Sequence, residues 1–555
     1  MGRSPHRTFL PLPGPLTPVA AVLWALGTAH AAEIDTGNPD LSFRWDNTVK
    51  LSTAYRLKSA SSEVLANPNG DDGDRNFGKG VVSGRADLFT EMDLVYQRKH
   101  GARISGAAYY DAIYNRRNDN PGFAGGAFPN QLSVAPNEFT KATRELHGRK
   151  AELLDAFAFG QLDLDGMTLT ARAGRHAILW GESLFFGGNA IAGGQQPVDV
   201  VKLLSVPNTQ FKEAIRPVPQ VSASLQINSA ISIAGYVQTA FKPSLVPASG
   251  SYFSNADPGI DGGETILLGP GVFALRQPDK RPSNQGQWGL QLKLRGDGLD
   301  YGLYAVRFHS KLPQAVPLIG LTPAGPAPIG YYLGYHEGVK AFGFSVSKTI
   351  DEFNLALEVS TRRNQDLASS QSADVSSFTP APATNVTDNP AYATGNTAHV
   401  NLSMLGNLPA TPLWREATLL GELAWNRVLS VTHGASALDP NGTRDGVALR
   451  VTLEPMYRGV LDGVDVGVPV TLGWAPRGSR PLAMSSPNAW VADGGGDLTL
   501  GANLSLRDVW RMTLSYTHYF GRAKPFQDPT NANAYTWQQS FRDRDFLAAS
   551  LRYTF

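Results

Sequence analysis

The stretch "RHAILWGESLFFGG" brings His176, Glu182 and Ser183 within seven residues of one another. A histidine base beside a serine hydroxyl is the minimum for nucleophilic acyl transfer. The spacing argues against it. The two side chains fall at a strand end, on either side of a turn, and no G-x-S-x-G elbow occurs in the chain. Cysteine is absent, so thiolate nucleophiles, zinc–thiolate centres and disulfides are excluded. No enzyme activity and no cofactor is expected.

A second cluster, "NPNGDDGDRN", holds Asp71, Asp72 and Asp74. Calcium takes oxygen ligands from loops of this kind. Asp72 stands where an EF-hand order needs glycine, so the segment reads as a polar turn and no metal is assigned.

The third group is a ladder of charge: Arg44, Asp46, Lys50, Arg85, Asp87, Glu91, Asp93 and Arg103. On neighbouring strands such residues form either a selectivity filter or a wall of ion pairs. A filter for one ion class shows one sign. The signs here are mixed, which favours the paired wall.

The fourth group lies in residues 181–217. "GESLFFGGNAIAGGQQPVDVVKLL" is rich in small and apolar residues where a solvated loop would be polar. Folded into a pore, its Glu182, Asp199, Lys202, Lys212, Glu213 and Arg216 would pair with lumen charges or line a constriction. Packed over the rim, they would be solvated. Phe185, Phe186 and Phe211, with Tyr331 and Tyr332 from another loop, would either form an apolar binding patch at the mouth or pack the loops together.

What positions these groups is a recurring period of two. In "LSFRWDNTVKLSTAYR", Phe43, Trp45, Val49, Leu51 and Tyr55 share one face and Arg44, Asp46, Thr48, Lys50 and Ser52 the other. "RADLFTEMDLVYQ" and "WRMTLSYTHYF" repeat the pattern. Strands of about ten residues suit a tilted bilayer crossing. Aromatic residues end the apolar faces, as at Trp45 and Tyr55 or Trp510 and Phe520, where two interfacial girdles would lie. The links alternate strictly between short and long, which a soluble sandwich has no reason to do. The reading is an all-β, antiparallel transmembrane barrel of about 18 strands (16–18), with short periplasmic turns and long extracellular loops.

Composition agrees. Of 555 residues, 42% are apolar and 17% charged, and past the start no apolar run is long enough for a membrane helix. The N-terminus has Arg3 and Arg7, then "PVAAVLWALG" and "AHA", the form of a signal peptide over residues 1–31. Its removal changes 49 basic against 48 acidic residues to 47 against 48, so no nucleic-acid partner is indicated. A short segment, 32–40, then precedes the barrel at 41–555. That is too little chain for a plug domain. The last strand ends "SLRYTF", and Leu551, Tyr553 and Phe555 resemble the signal read by the outer-membrane insertion machinery.

Several pieces, "NGDDGDRNF", "AELLDAFAFGQLDL", "RAGRHAILWGES", "PVDVVKL" and "FKEAIRPVPQVSAS", resemble the bacterial exported proteins of domain-of-unknown-function family 1302. The likeness spans essentially the whole mature chain. The family's pattern carries Gln where His176 stands here. The resemblance implies an outer-membrane barrel tied to handling hydrophobic compounds, alongside inner-membrane exporters and periplasmic lipid-carrier-like partners. It brings no catalytic residues. The expected function is passage of a small hydrophobic or amphipathic compound past the 181–217 loop. The alternatives are a general porin for polar solutes and a non-conducting barrel that docks a periplasmic partner.

Overall fold

The computed structural model describes residues 32–122, 129–206, 210–269, 271–476, 479–484, 490–507, 509–531 and 533–555. The signal-peptide expectation for 1–31 lies outside the described residues.

The antiparallel strands in chain order are β1 (Leu41–Arg56), β2 (Gly80–Tyr96), β3 (His100–Asp111), β4 (Arg149–Leu164), β5 (Met167–His176) and β6 (Val218–Gln226). Next come β7 (Ile231–Gln238), β8 (Gln287–Gly296), β9 (Leu299–Phe308), β10 (Val339–Ile350), β11 (Phe353–Asp366) and β12 (Thr394–Leu408). The circuit ends with β13 (Glu416–His433), β14 (Asp445–Leu461), β15 (Val464–Gly467 continued by Val470–Trp474), β16 (Gly496–Leu506), β17 (Trp510–Phe520) and β18 (Phe546–Thr554). Each pairs with its chain neighbour, and β18 pairs back onto β1 from Thr48↔Thr554 to Arg56↔Phe546. The sheet is a closed barrel of 18 strands. Closure leaves no open sheet edge and pairs backbone donors and acceptors between neighbours, which lipid demands.

Side-chain alternation decides which face meets lipid. Leu88, Met92 and Leu94 of β2, and Met512 and Leu514 of β17, are exposed on the outer surface. Tyr55, Tyr110, Trp288 and Trp474 stand at the long-loop end of that surface, and Trp45 and Tyr96 at the other. Tight hairpins fix the register at the short-turn end. Asp165–Gly166 and Asp297–Gly298 both take positive φ at the two central positions, the geometry that matches strand twist.

The long links hold most of the buried apolar residues. Phe77, Ile113, Tyr114, Phe139 and Tyr252 pack with Tyr519 and Phe546 at the barrel's upper end. Residues 239–286 and 309–338, which alternation alone leaves as loop, contribute a four-stranded outer sheet made of Thr265–Gly269, Val272–Arg276, Gln314–Thr322 and Gly325–Gly334. Pro317 sits in its edge strand, where the missing N–H costs no ladder bond.

The edge of β1 below β18 is also covered. Asn47 and Phe555 exchange N–H···O bonds of 2.7 and 2.9 Å. Ala32–Ile34 then pairs with Phe43–Trp45. The rings of Trp510, Tyr553 and Phe555 stack in series, 4.4 and 5.3 Å between centroids. Deleting Phe555 should therefore cut the yield of heat-modifiable, folded barrel several-fold. The molecules that do insert should conduct as wild type does, measured side by side in planar bilayers.

Candidate functional site

The link from β5 to β6 enters the lumen. Leaving His176, it packs Ile178 and Trp180 against Tyr236, Tyr304, Val306 and Phe308 on the inner wall. Its next ten residues bind β11–β13, up to eight strands around a circle of eighteen, so the chain crosses the pore.

The clamp there is made by two carboxylates and a guanidinium of the wall. Glu358 of β11 accepts the N–H of Glu182 (2.9 Å) and of Ile191 (2.6 Å). Glu422 of β13 accepts Ser183 Oγ–H (2.7 Å) and the N–H groups of Leu184 (3.1 Å), Phe185 and Phe186 (2.9 Å). Arg362 donates to the carbonyls of Gly188, Asn189 and Ala190 at 2.8–3.0 Å. Asn189 is held by His399, Asn401 and Asn426. Backbone N–H groups gathered on a carboxylate make charge-assisted bonds, about twice as strong as neutral ones.

The small residues explain themselves at this crossing. A Cβ at Gly181, which has φ +97°, would fall 2.3 Å from Glu358 Oε2. One at Gly187 would fall 2.2 Å from the Phe211 ring.

The return path lies along the opposite wall. Val198 and Val200 exchange bonds with Leu245 (2.9 and 2.8 Å), and the helix Val200–Ser205 follows. Arg216 pairs with Glu152 of β4, which Lys150 also contacts at 3.0 Å. Lys202 lies within electrostatic reach of Lys50, and Glu213 of Arg552.

The sequence-derived candidates take specific places. Arg44 pairs with Asp46; Arg85 and Lys50 with Asp87; Arg103 with Asp93 (2.6 Å) and Glu91 (3.4 Å). They form a wall of ion pairs on β1–β3. Among the six loop charges, Arg216 reaches a wall carboxylate. Among the described residues the other five form no ion pair with the wall. Asp199 caps Lys202 N–H at 2.9 Å, Lys202 Nζ holds the Glu213 carbonyl at 2.8 Å, and Glu213 closes a capping box with Gln210. Lys212 is exposed. Burial raises the Glu182 carboxyl above its ordinary range, against the pull of Lys293. Of the two readings of the aromatic residues, the structure shows loop packing. Phe186 is buried against Trp490, Ala424 and Met484, Phe211 is buried under Gly187, and Tyr331 and Tyr332 lie inside the outer loops. Phe185 is partly buried beside Phe186. These rings pack loops because each finds a shaped neighbour there, and packing removes them from the mouth. His176 binds Ser222 while Ser183 binds Glu422, so the two do not form a dyad.

A small cleft of about 100 Å³ remains beside the crossing, lined by Leu204, Trp490, Tyr519, Phe526, Trp537 and Phe541.

The family described as "Protein of unknown function (DUF1302)" matches residues 13–555. The chain belongs to this family. No curated protein matches this DUF1302 member in sequence. Among solved structures, OccAB3 of Acinetobacter baumannii is similar at 9% identity and a TM-score of 0.43, covering 92% of this chain and 99% of that one. OccK2 (OpdF) of Pseudomonas aeruginosa gives 10% and 0.37, with 92% and 97% covered. OmpF of Salmonella typhi, solved in complex with daunomycin, gives 8% and 0.34, with 93% and 98% covered.

In this DUF1302 member the residues that hold the loop are Glu358, Arg362, Asn401 and Glu422, none singled out in the sequence reading. A signal was present. Glu358 and Arg362 fall on the inward face of "LALEVSTRR", Asn401 on that of "AHVNLSM" and Glu422 on that of "LLGELAWNR", so alternation aims each polar side chain at the lumen.

Proposed function

We propose that this chain is an outer-membrane channel whose lumen is crossed at rest by the 177–217 link. A small hydrophobic or amphipathic compound passes when that link moves. The observation that carries the reading is the clamp of Glu358 and Glu422 on the backbone of residues 182–191. A water-filled barrel of this size conducts unless something fills it, and this segment lies across it.

Two features support an apolar cargo. The outer sheet exposes six large apolar residues, Leu268, Val272, Phe273, Leu275, Leu321 and Ile329, on strands that pair with one another. The small cleft beside the crossing is lined by aromatic rings together with Asn255, Asp497, Gln539 and Ser540, so apolar and polar groups meet there.

The test is single-channel conductance of the intact barrel against a variant lacking residues 185–196. The intact protein should conduct weakly and the variant several-fold more. Equal, full conductance in both would place the protein with general diffusion porins. None in either would make it a non-conducting, accessory barrel.

A further inference from the structure

The "NGDDGD" segment plays no part in the lumen. It lies between β1 and β2 at the long-loop end and meets the β7–β8 link. Asp71, Asp72 and Asp257 are each almost fully buried. Each offers a carboxylate oxygen, and these oxygens lie within 4.8 Å of one another. Two oxygens across a calcium ion at about 2.4 Å each are about that far apart.

Hydrogen bonding leaves the cluster incomplete. Asp71 Oδ2 takes Arg75 (2.6 Å), Asp72 Oδ2 takes the Asn130 N–H (2.9 Å), and Asp257 takes Ser254 Oγ–H (2.6 Å) and the Asp72 N–H (3.1 Å). Asp71 Oδ1 and Asp72 Oδ1 are buried with no partner. The Asn130 carbonyl oxygen, on the residue that holds Asp72, is buried without one too. Its amide orientation is fixed, because Nδ2 donates to Asn69 Oδ1 and the Thr265 carbonyl. Buried oxygens of this kind cost free energy unless something binds them.

The charges do not balance either. Arg56 and Arg544 are taken by Asp74 and Asp543, and Arg75 by Asp71. Asp72 and Asp257 form no ion pair among the described residues, which leaves two buried carboxyl groups without a countercharge.

We propose that Asp71, Asp72 and Asp257 form a calcium site that ties the β1–β2 and β7–β8 links together over the barrel's outer end. The oxygen-only donor set excludes the softer transition metals' preferred ligands. Ligands drawn from irregular loops suit calcium's flexible shell better than the strict octahedron of magnesium. A divalent ion supplies both with a countercharge.

The experiment uses the refolded full barrel in detergent, stripped with EDTA. Terbium should give saturable luminescence sensitised by nearby tyrosine and displaced by calcium at or below millimolar concentration. Calcium at 1 mM should raise the melting temperature by several degrees, and magnesium by less. Asp72→Asn and Asp257→Asn should each weaken calcium binding at least tenfold and abolish the thermal response. Asp163→Asn, at an exposed short turn, should keep it. Absence of displaceable terbium luminescence in the wild-type barrel overturns the site, and this holds even if the variants do not fold. A wild-type barrel indifferent to calcium but stabilised by Asp72→Asn overturns it as well, since the carboxyls would then share protons instead.

Discussion

Glu422→Ala should open the barrel, with conductance several-fold above wild type and tryptic cleavage at Lys202 and Lys212 at least tenfold faster. One carboxylate accepts five donors, from Ser183, Leu184, Phe185, Phe186 and Asn401. Bonds to a charged acceptor contribute about 1.5–3 kcal/mol each. Water in the opened lumen recovers much of that. A remaining loss of about 4 kcal/mol still moves the docked and undocked states by about a thousandfold. Glu422→Gln keeps one accepting oxygen and should fall between. Glu416→Gln, exposed at the short-turn end beside Arg458, is the control and should change nothing. If tryptic cleavage rises while conductance stays at the wild-type level, the link moves but is not what closes the pore.

The contrast between barrel and clamp shows what a sequence of this kind discloses. Strand after strand could be placed because alternation is a local property, repeated in every segment from Phe43–Tyr55 to Trp510–Phe520. The strict turn-and-loop alternation added connectivity, since antiparallel neighbours need only a hairpin. The inward segment was visible through "FFGGNAIAGG", because close backbone approach leaves a compositional mark. Its anchors were not. Glu358 and Glu422 act on peptide N–H groups, which every residue has, across about 170 to 240 residues of chain. No residue type in the loop announces such a partner. Of the charges that drew notice, Asp199 and Glu213 cap the ends of their own short helices and Lys202 reaches the Glu213 carbonyl, so short-range partners satisfy them first. The outer sheet was hidden for another reason. Pro317, Pro326 and Pro328 break its alternation and read as turn residues.

The outer loops owe their position to a second set of long-range pairs, and Arg544→Met tests it. Arg544 is fully buried just before β18. It forks onto Asp74 at 3.1 and 2.6 Å and donates to the Tyr252 and Ser254 carbonyls, both at 2.6 Å. Three links of the outer end, 57–79, 239–286 and 521–545, thus meet at one guanidinium. Methionine removes the cation and leaves Asp74 with Arg56 alone, while Asp543 stays beside it. Breaking a buried pair on one side costs about 3–5 kcal/mol. The expected result is a large fall in folded yield, or a melting transition lower by many degrees in what does fold. Arg544→Lys keeps the charge but loses the fork, so it should recover only part of the loss. The pair can be separated from the packing around it. In the double variant Asp74→Asn, Arg544→Met the stranded charge is gone, and stability should return partway toward wild type. A double variant as unstable as the sum of its parts would assign the loss to the two carbonyl bonds and the stacking of Arg544 on Phe541. Partial rescue would assign it to the charge. The loops would then be held at the point where the barrel closes, β1 against β18, so that the seam of the sheet and the cover of the pore form as one unit.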